Sequence, residues 1–140
     1  MERTLVMVKP DAVKKNAVGN ILAHFEKEGL RITALRMTRL GPTEAENFYA
    51  VHRERPFFKD LVTFMTEGPI VALVLEGKDA VKRVRELMGA TDPAKAAAGT
   101  IRKLYGTNVE RNAVHGSDSP ENALIEIAFH FAGSNVHRRE

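Results

Sequence analysis

Cysteine is absent from the 140 residues, which excludes a disulfide framework and a thiolate metal site. The longest apolar run, residues 70–75, is far too short to cross a bilayer. No block of consecutive basic residues offers an arm for nucleic acid; the densest group is His137-Arg138-Arg139, near the terminus. No G-x-x-x-x-G-K-[ST] is present, no G-x-G-x-x-G follows a strand pattern, and no H-E-x-x-H occurs, so neither a P-loop nor a zinc-protease helix is available. Lys9 and Asp11 follow Met1 after only a few apolar residues, and a secretory leader pattern is missing. These absences predict a cytoplasmic chain with no membrane partner.

What is present is an ordinary globular composition, 44% hydrophobic and 28% charged, too apolar for a disordered chain. The net charge of +3 suits a phosphate-rich ligand, nucleic acid or an acidic membrane surface, and equally a plain solvated exterior. Without repeats, low-complexity tracts or linkers, one domain over 1–140 is expected.

Residues 3–9 (RTLVMVK) are apolar on both alternating faces, as in a strand covered on both sides, and Pro10 stops it. Over 17–28, Val18, Ile21, Leu22 and Phe25 recur at helical spacing, and Gly29 fits a left-handed C-terminal cap. Residues 30–40 read as a second strand with a partly polar face, ended by Gly41-Pro42. Thr43-Glu44-Ala45-Glu46 matches a capping box and predicts a short helix; another follows Pro56, carrying Phe57, Leu61, Phe64 and Met65. The unbroken run 70–75 predicts a central strand. Asp79 is the expected cap of a helix whose Val81, Val84 and Met88 face inward and which Gly89 closes. Residues 90–112, with Pro93, Gly99 and Gly106, read as a long functional loop. A short strand over 112–116 follows. Ser119 then caps a helix with Pro120 at its first position and Ala123, Leu124, Ile127, Ala128 and Phe131 as its apolar stripe.

The order is β-α-β-β-α-β with additions. It predicts an α/β (α+β) chain with the ferredoxin-like sandwich, a four-stranded antiparallel sheet with helices packed on it. That fold hosts enzymes, RNA binders and regulatory modules alike, and fixes no function by itself.

The five histidines show no metal-site spacing. His115 stands apart through its surroundings, a strand end, a sharp turn at Gly116 and a helix that returns Glu126 towards it. A neutral imidazole nitrogen is a competent nucleophile, and Glu126 could hold the ring, directly or through Ser117. The alternative is a strand-end histidine that merely bonds a turn. Lys9 at the end of an apolar strand, Arg85 beside a buried stripe, and Arg102 in the long loop with Thr91 and Asn112 near its ends add cations and polar donors. If they converge on His115, they supply what phosphoryl transfer requires, positioning and charge stabilisation.

The chain resembles a nucleoside diphosphate kinase from end to end. The resemblance rests on TLVMVKPDAV at 4–13, RPFF at 55–58, GATDP at 89–93, GTIR at 99–102 and, most specifically, RNAVHGSDS at 111–119. It implies that His115 accepts the γ-phosphoryl group of a nucleoside triphosphate and passes it to a nucleoside diphosphate. Glu126 and Ser117 would orient His115, and Tyr49 would support the site. By the same resemblance Lys9 contacts phosphates and ribose, and Arg85, Thr91 and Arg102 grip the phosphates. Asn112 bonds the sugar hydroxyl, and Phe57 stacks on the base between Leu61 and Val109. Mg²⁺ would be held mainly by the nucleotide's own phosphate oxygens. A homo-oligomer, tetramer or hexamer built from a common dimer, is implied as well. The stretch 94–98 is richer in alanine than is usual in the family, and the C-terminus is short, as in bacterial-type members.

The competing reading is a non-catalytic ferredoxin-like module that binds nucleotides or RNA. RNA-binding members stack bases on sheet aromatics, and residues 3–9 and 70–75 contain none. A family member retained for scaffolding after loss of activity should show a damaged site, whereas every position named above is filled by the matching type.

Overall fold

β1 (Glu2–Val8) and β3 (Ile70–Gly77) are apolar on both faces because helices cover both sides of the sheet they share. The computed structural model describes residues 1–139. Four strands, completed by β2 (Arg31–Thr38) and β4 (Val114–Gly116), lie in the order β2-β3-β1-β4 with every neighbour antiparallel. Unbroken apolar strands are usual in parallel sheets; here the same pattern arises because the two central antiparallel strands, β1 and β3, are covered on both faces, while β2 at the edge keeps Leu35, Arg36 and Met37 exposed.

Val6 and Val8 of β1 and Val71, Leu73 and Leu75 of β3 face α2 (Val18–Lys27) and α5 (Ala80–Met88) through Ile21, Phe25, Val84 and Met88. Leu5, Met7, Ile70, Ala72 and Val74 face the other way. They meet Ala45 and Tyr49 at α3 (Pro42–Phe48), Phe64 and Met65 of α4 (Phe58–Met65), and Ile127 of α7 (Pro120–His130). The β1-α2-β2-β3-α5-β4 succession is the expected ferredoxin-like core. Among the described residues no helix is long and apolar enough to cross a membrane.

Several local expectations hold. Gly29 adopts φ +82° just past α2, and Ser119 Oγ accepts the amide hydrogen of Asn122 at 3.1 Å above Pro120. Others shift. Pro10 ends β1 but also opens α1 (Pro10–Lys14), too short to show a periodicity. The helix starts two residues earlier than Thr43 suggests, with Gly41 as its N-cap, and only the Glu44 half of a capping box forms because glycine has no side chain to complete it. Pro42 takes the first helical position, and Glu44 Oε1 accepts from the Gly41 amide at 3.0 Å. Asp79 precedes α5 in a left-handed conformation, φ 52°, and its side chain caps nothing. Glu2 replaces it across the sheet, Oε1 accepting from the Val81 amide at 2.8 Å. The 90–112 segment is not all loop: Thr100 caps α6 (Ile101–Tyr105), and a 3₁₀ turn spans Pro93–Lys95. The last strand begins at Val114 rather than at Asn112.

Candidate active site

The register of β4 against β1 places His115 opposite Met7. Cross-strand partners share a face, so His115 projects to the side covered by α3 and α7. Gly116 follows because β4 runs close under α5: a Cβ there would lie 2.8 Å from Met88 Cε and 3.2 Å from Val84 Cγ1. That approach carries Arg85 to the strand end, its Nη1 3.4 Å from Gly116 O.

The residue two before the histidine is strained. Ala113 has φ +75°, and Val114 N donates to Asn112 O at 2.9 Å across it, a tight three-residue turn that a side chain disfavours. It is held from outside: the Ala113 amide donates to Asp11 Oδ2 at 3.1 Å, and the Lys9 amide donates to Ala113 O at 2.8 Å. α1 therefore pins the turn that aims His115.

Nε2 of His115 lies 2.7 Å from Glu126 Oε1, and Ser117 Oγ donates to that same oxygen at 3.0 Å. A carboxylate only accepts, so a neutral ring carries its hydrogen on Nε2 and its lone pair on Nδ1. Nδ1 has no hydrogen-bond partner among the described residues. Tyr49 packs edge-on to the ring at 6.3 Å, and its buried hydroxyl has no partner among the described residues. Burial, reinforced by the Glu126 carboxylate, pushes that phenol well above its usual range.

Beside the histidine opens a cavity of about 810 Å³ lined by Lys9, Tyr49, Phe57, Leu61, Arg85 and Thr91, and by Arg102, Val109, Asn112, His115 and Glu126. Ser117 is fully buried behind it. Positions spread over most of the chain thus meet in one place. Lys9 Nζ donates to Asn112 Oδ1 at 2.8 Å, and Asn112 Nδ2 donates to Thr91 O at 3.0 Å, leaving one amide hydrogen of Asn112 uncommitted. Arg102 is buried, with Nη1 and Nη2 donating to Gly89 O and Val114 O at 3.0 and 2.9 Å, while Nε lacks a partner among the described residues. Burial, and then the Arg102 charge, lower the Lys9 pKa to about 8. Burial, and then Arg85, lower Arg102 to about 10. Cations held in protein at the expense of their own protonation mark a place where an anion is favoured. Phe57 and Val109, 47% and 56% exposed, stand at the mouth as an apolar pair open to a ligand.

A model of the nucleoside diphosphate kinase family matches residues 2–136. The chain belongs to the nucleoside diphosphate kinase family. A nucleoside diphosphate kinase of Anaeromyxobacter sp. (strain Fw109-5) is 59% identical over 139 residues, 99% of this chain and 95% of that one. The crystal structure of the Aquifex aeolicus nucleoside diphosphate kinase superposes with a TM-score of 0.95 at 55% identity, covering 96% of this chain and 98% of that one. The Halobacterium salinarum nucleoside diphosphate kinase, solved in complex with CDP, gives 0.96 at 42% identity over 99% of this chain and 93% of that one.

Some of the surroundings are not visible in the sequence of this nucleoside diphosphate kinase family member. Phe48 lies edge-on to His115, His52 sits 5.4 Å from Phe57, and Asp11 holds the strained turn. A phenylalanine ending a helix reads as core, and a lone histidine as surface. Only Asp11, inside the KPDAV stretch, carried a motif signal.

Proposed function

We propose that the chain moves the γ-phosphoryl group of a nucleoside triphosphate to a nucleoside diphosphate through a phosphohistidine on His115. The lone pair on Nδ1 attacks the γ-phosphorus, the bond to the β–γ bridging oxygen breaks, and the diphosphate leaves with that oxygen. A second diphosphate then attacks with a terminal β-oxygen and restores the neutral ring. The observation that carries this reading is the His115–Glu126 contact at 2.7 Å, which turns the unpartnered nitrogen into the nucleophile.

Lys9, Arg85 and Arg102 supply the positive charge that a loose phosphoryl transition state needs, with Thr91 beside them. Asn112 offers its free amide hydrogen to the sugar. Phe57, flanked by Leu61 and Val109, offers a flat apolar face, which favours every base similarly because stacking reads no base edge. Mg²⁺ enters as part of the nucleotide substrate, on its phosphate oxygens. The cavity's cations suit phosphate rather than a metal ion, and among the described residues no three His, Asp or Glu side chains converge.

The same reading makes the chain a cytoplasmic homo-oligomer, tetramer or hexamer. The edge strand β2, where Leu35 and Met37 are half or more exposed, supports contact between copies. Initial rates against both nucleotides test the mechanism. Parallel double-reciprocal lines for several acceptor bases are expected; intersecting lines would require a ternary complex and overturn the covalent route.

A further inference from the structure

Aromatic residues are scarce in this chain, 6% of the total, yet Phe48, Tyr49 and Phe129 crowd on the face that carries His115. Phe48 is the centre of the group. Its ring stands 5.4 Å from the His115 ring at 75°, an edge-to-face geometry. It meets Tyr49 at 4.9 Å and 77°, Phe129 at 5.2 Å and 74°, and the buried His130 at 5.4 Å and 52°. Neighbours on α3 and α7 therefore hold the ring that touches the histidine. Phe48 is itself half-buried, packed against the core beneath α3 and lining the cavity.

This arrangement supplies what the Glu126 bond cannot. The Cβ attachment and the hydrogen bond at Nε2 hold the imidazole only as firmly as the Glu126 side chain is itself held, and a shift of ring and carboxylate together would swing Nδ1 away from a phosphorus held by Lys9, Arg85 and Arg102. An aromatic wall against the ring removes that freedom. Small misplacements matter here, because in-line attack tolerates little error in distance or angle. Tyr49 approaches the histidine less closely, at 6.3 Å, so Phe48 is the nearer of the two walls.

We propose that Phe48 is a positioning residue for His115: its edge-to-face contact fixes the plane of the imidazole so that Nδ1 faces the bound phosphate. The proposal rests on His115 being the residue phosphorylated. A phenylalanine that merely fills volume would be replaceable by leucine; one that acts through its ring would not.

The test is single-turnover phosphorylation from γ-labelled ATP in the full chain, together with the dissociation constant for ADP and the thermal midpoint. The variants are Phe48→Leu, which keeps apolar bulk, and Phe48→Tyr and Phe48→His, which keep a flat ring of different size. Phe48→Leu is expected to lower the phosphorylation rate about 3- to 10-fold, the rate equivalent of one edge-to-face pair, with the ADP constant unchanged. At least one ring variant is expected to recover the rate. A leucine variant as fast as the parent overturns the proposal. So does a loss in rate that tracks weakened ADP binding or lowered thermal stability, or one that neither ring variant recovers. A parent chain that takes no label at all would instead remove the phosphohistidine reading beneath it.

Discussion

Glu126 Oε1 receives both the His115 ring, at 2.7 Å, and the Ser117 hydroxyl, at 3.0 Å, so a single carboxylate oxygen joins the two residues. Replacing it by an amide changes little in size but lets an N–H face the ring, which then favours the other tautomer. Glu126→Gln is expected to lower single-turnover phosphorylation roughly 10- to 1,000-fold, short of the loss from a mis-set tautomer in a buried triad. Ser117→Ala removes one donor and leaves the His115 contact, so its effect is expected to be smaller. Rapid-quench measurement of the label on both variants checks the order. Equal losses would mean that Glu126 cannot hold the ring without the Ser117 hydroxyl.

Lys9 gives the site a pH signature. Its pKa is lowered to about 8 in the free protein, so the cation is present below that pH and lost above it. A bound polyphosphate favours the charged form and raises the pKa again. Binding of ADP near pH 8 is therefore expected to take up a proton fraction of about one half per site, by linkage. Calorimetry in buffers of different ionisation enthalpy measures it. Lys9→Met is expected to abolish the uptake and weaken binding.

Asp11 is predicted to matter for folding because it satisfies the amide of a strained residue. Asp11→Ala leaves the buried Ala113 N–H without its acceptor at 3.1 Å. The expected loss is about 1–3 kcal/mol in denaturant unfolding. Phosphorylation of His115 is expected to slow as well, since the turn that aims it loosens.

His130 should make the fold acid-sensitive. Burial, then the nearby Arg36 and His115, lower its pKa to about 4 from a reference of 6.5, while Glu126 and Glu44 oppose the shift. Between those values the unfolded chain binds the proton and the native chain does not. This group's share of stability is thus complete above pH 6.5, falls as the pH drops from 6.5 to 4, and is constant below. The full difference amounts to about 3 kcal/mol. Urea titrations at pH 7, 5.5 and 4 on the parent and His130→Gln should show a smaller decline in the variant.

Much of this architecture is legible in the residue pattern because it rests on burial. Strands with unbroken apolar runs, residues 5–8 of β1 and 70–75 of β3, had to be covered on both faces, and they are. What escapes the pattern is short or depends on distant partners. α1 and α6 run five residues each, less than two turns, and show no stripe. Asp79 has the right chemistry for a cap, but its left-handed backbone turns it away and Glu2 arrives from β1. At the site, His115 is legible because a specific motif surrounds it. Phe48 is not, since its role comes from a contact between α3 and β4 that no sequence spacing encodes.

On the proposed mechanism, His115 carries the phosphoryl group between two nucleotides. The direct measurement exposes the parent and His115→Ala to Mg²⁺ and γ-labelled ATP, removes free nucleotide, and then adds unlabelled diphosphates of several bases. Acid-labile label is expected on the parent, moving to every diphosphate, and none on the variant. A parent that binds ATP but never acquires label, or a variant that labels equally, contradicts that mechanism.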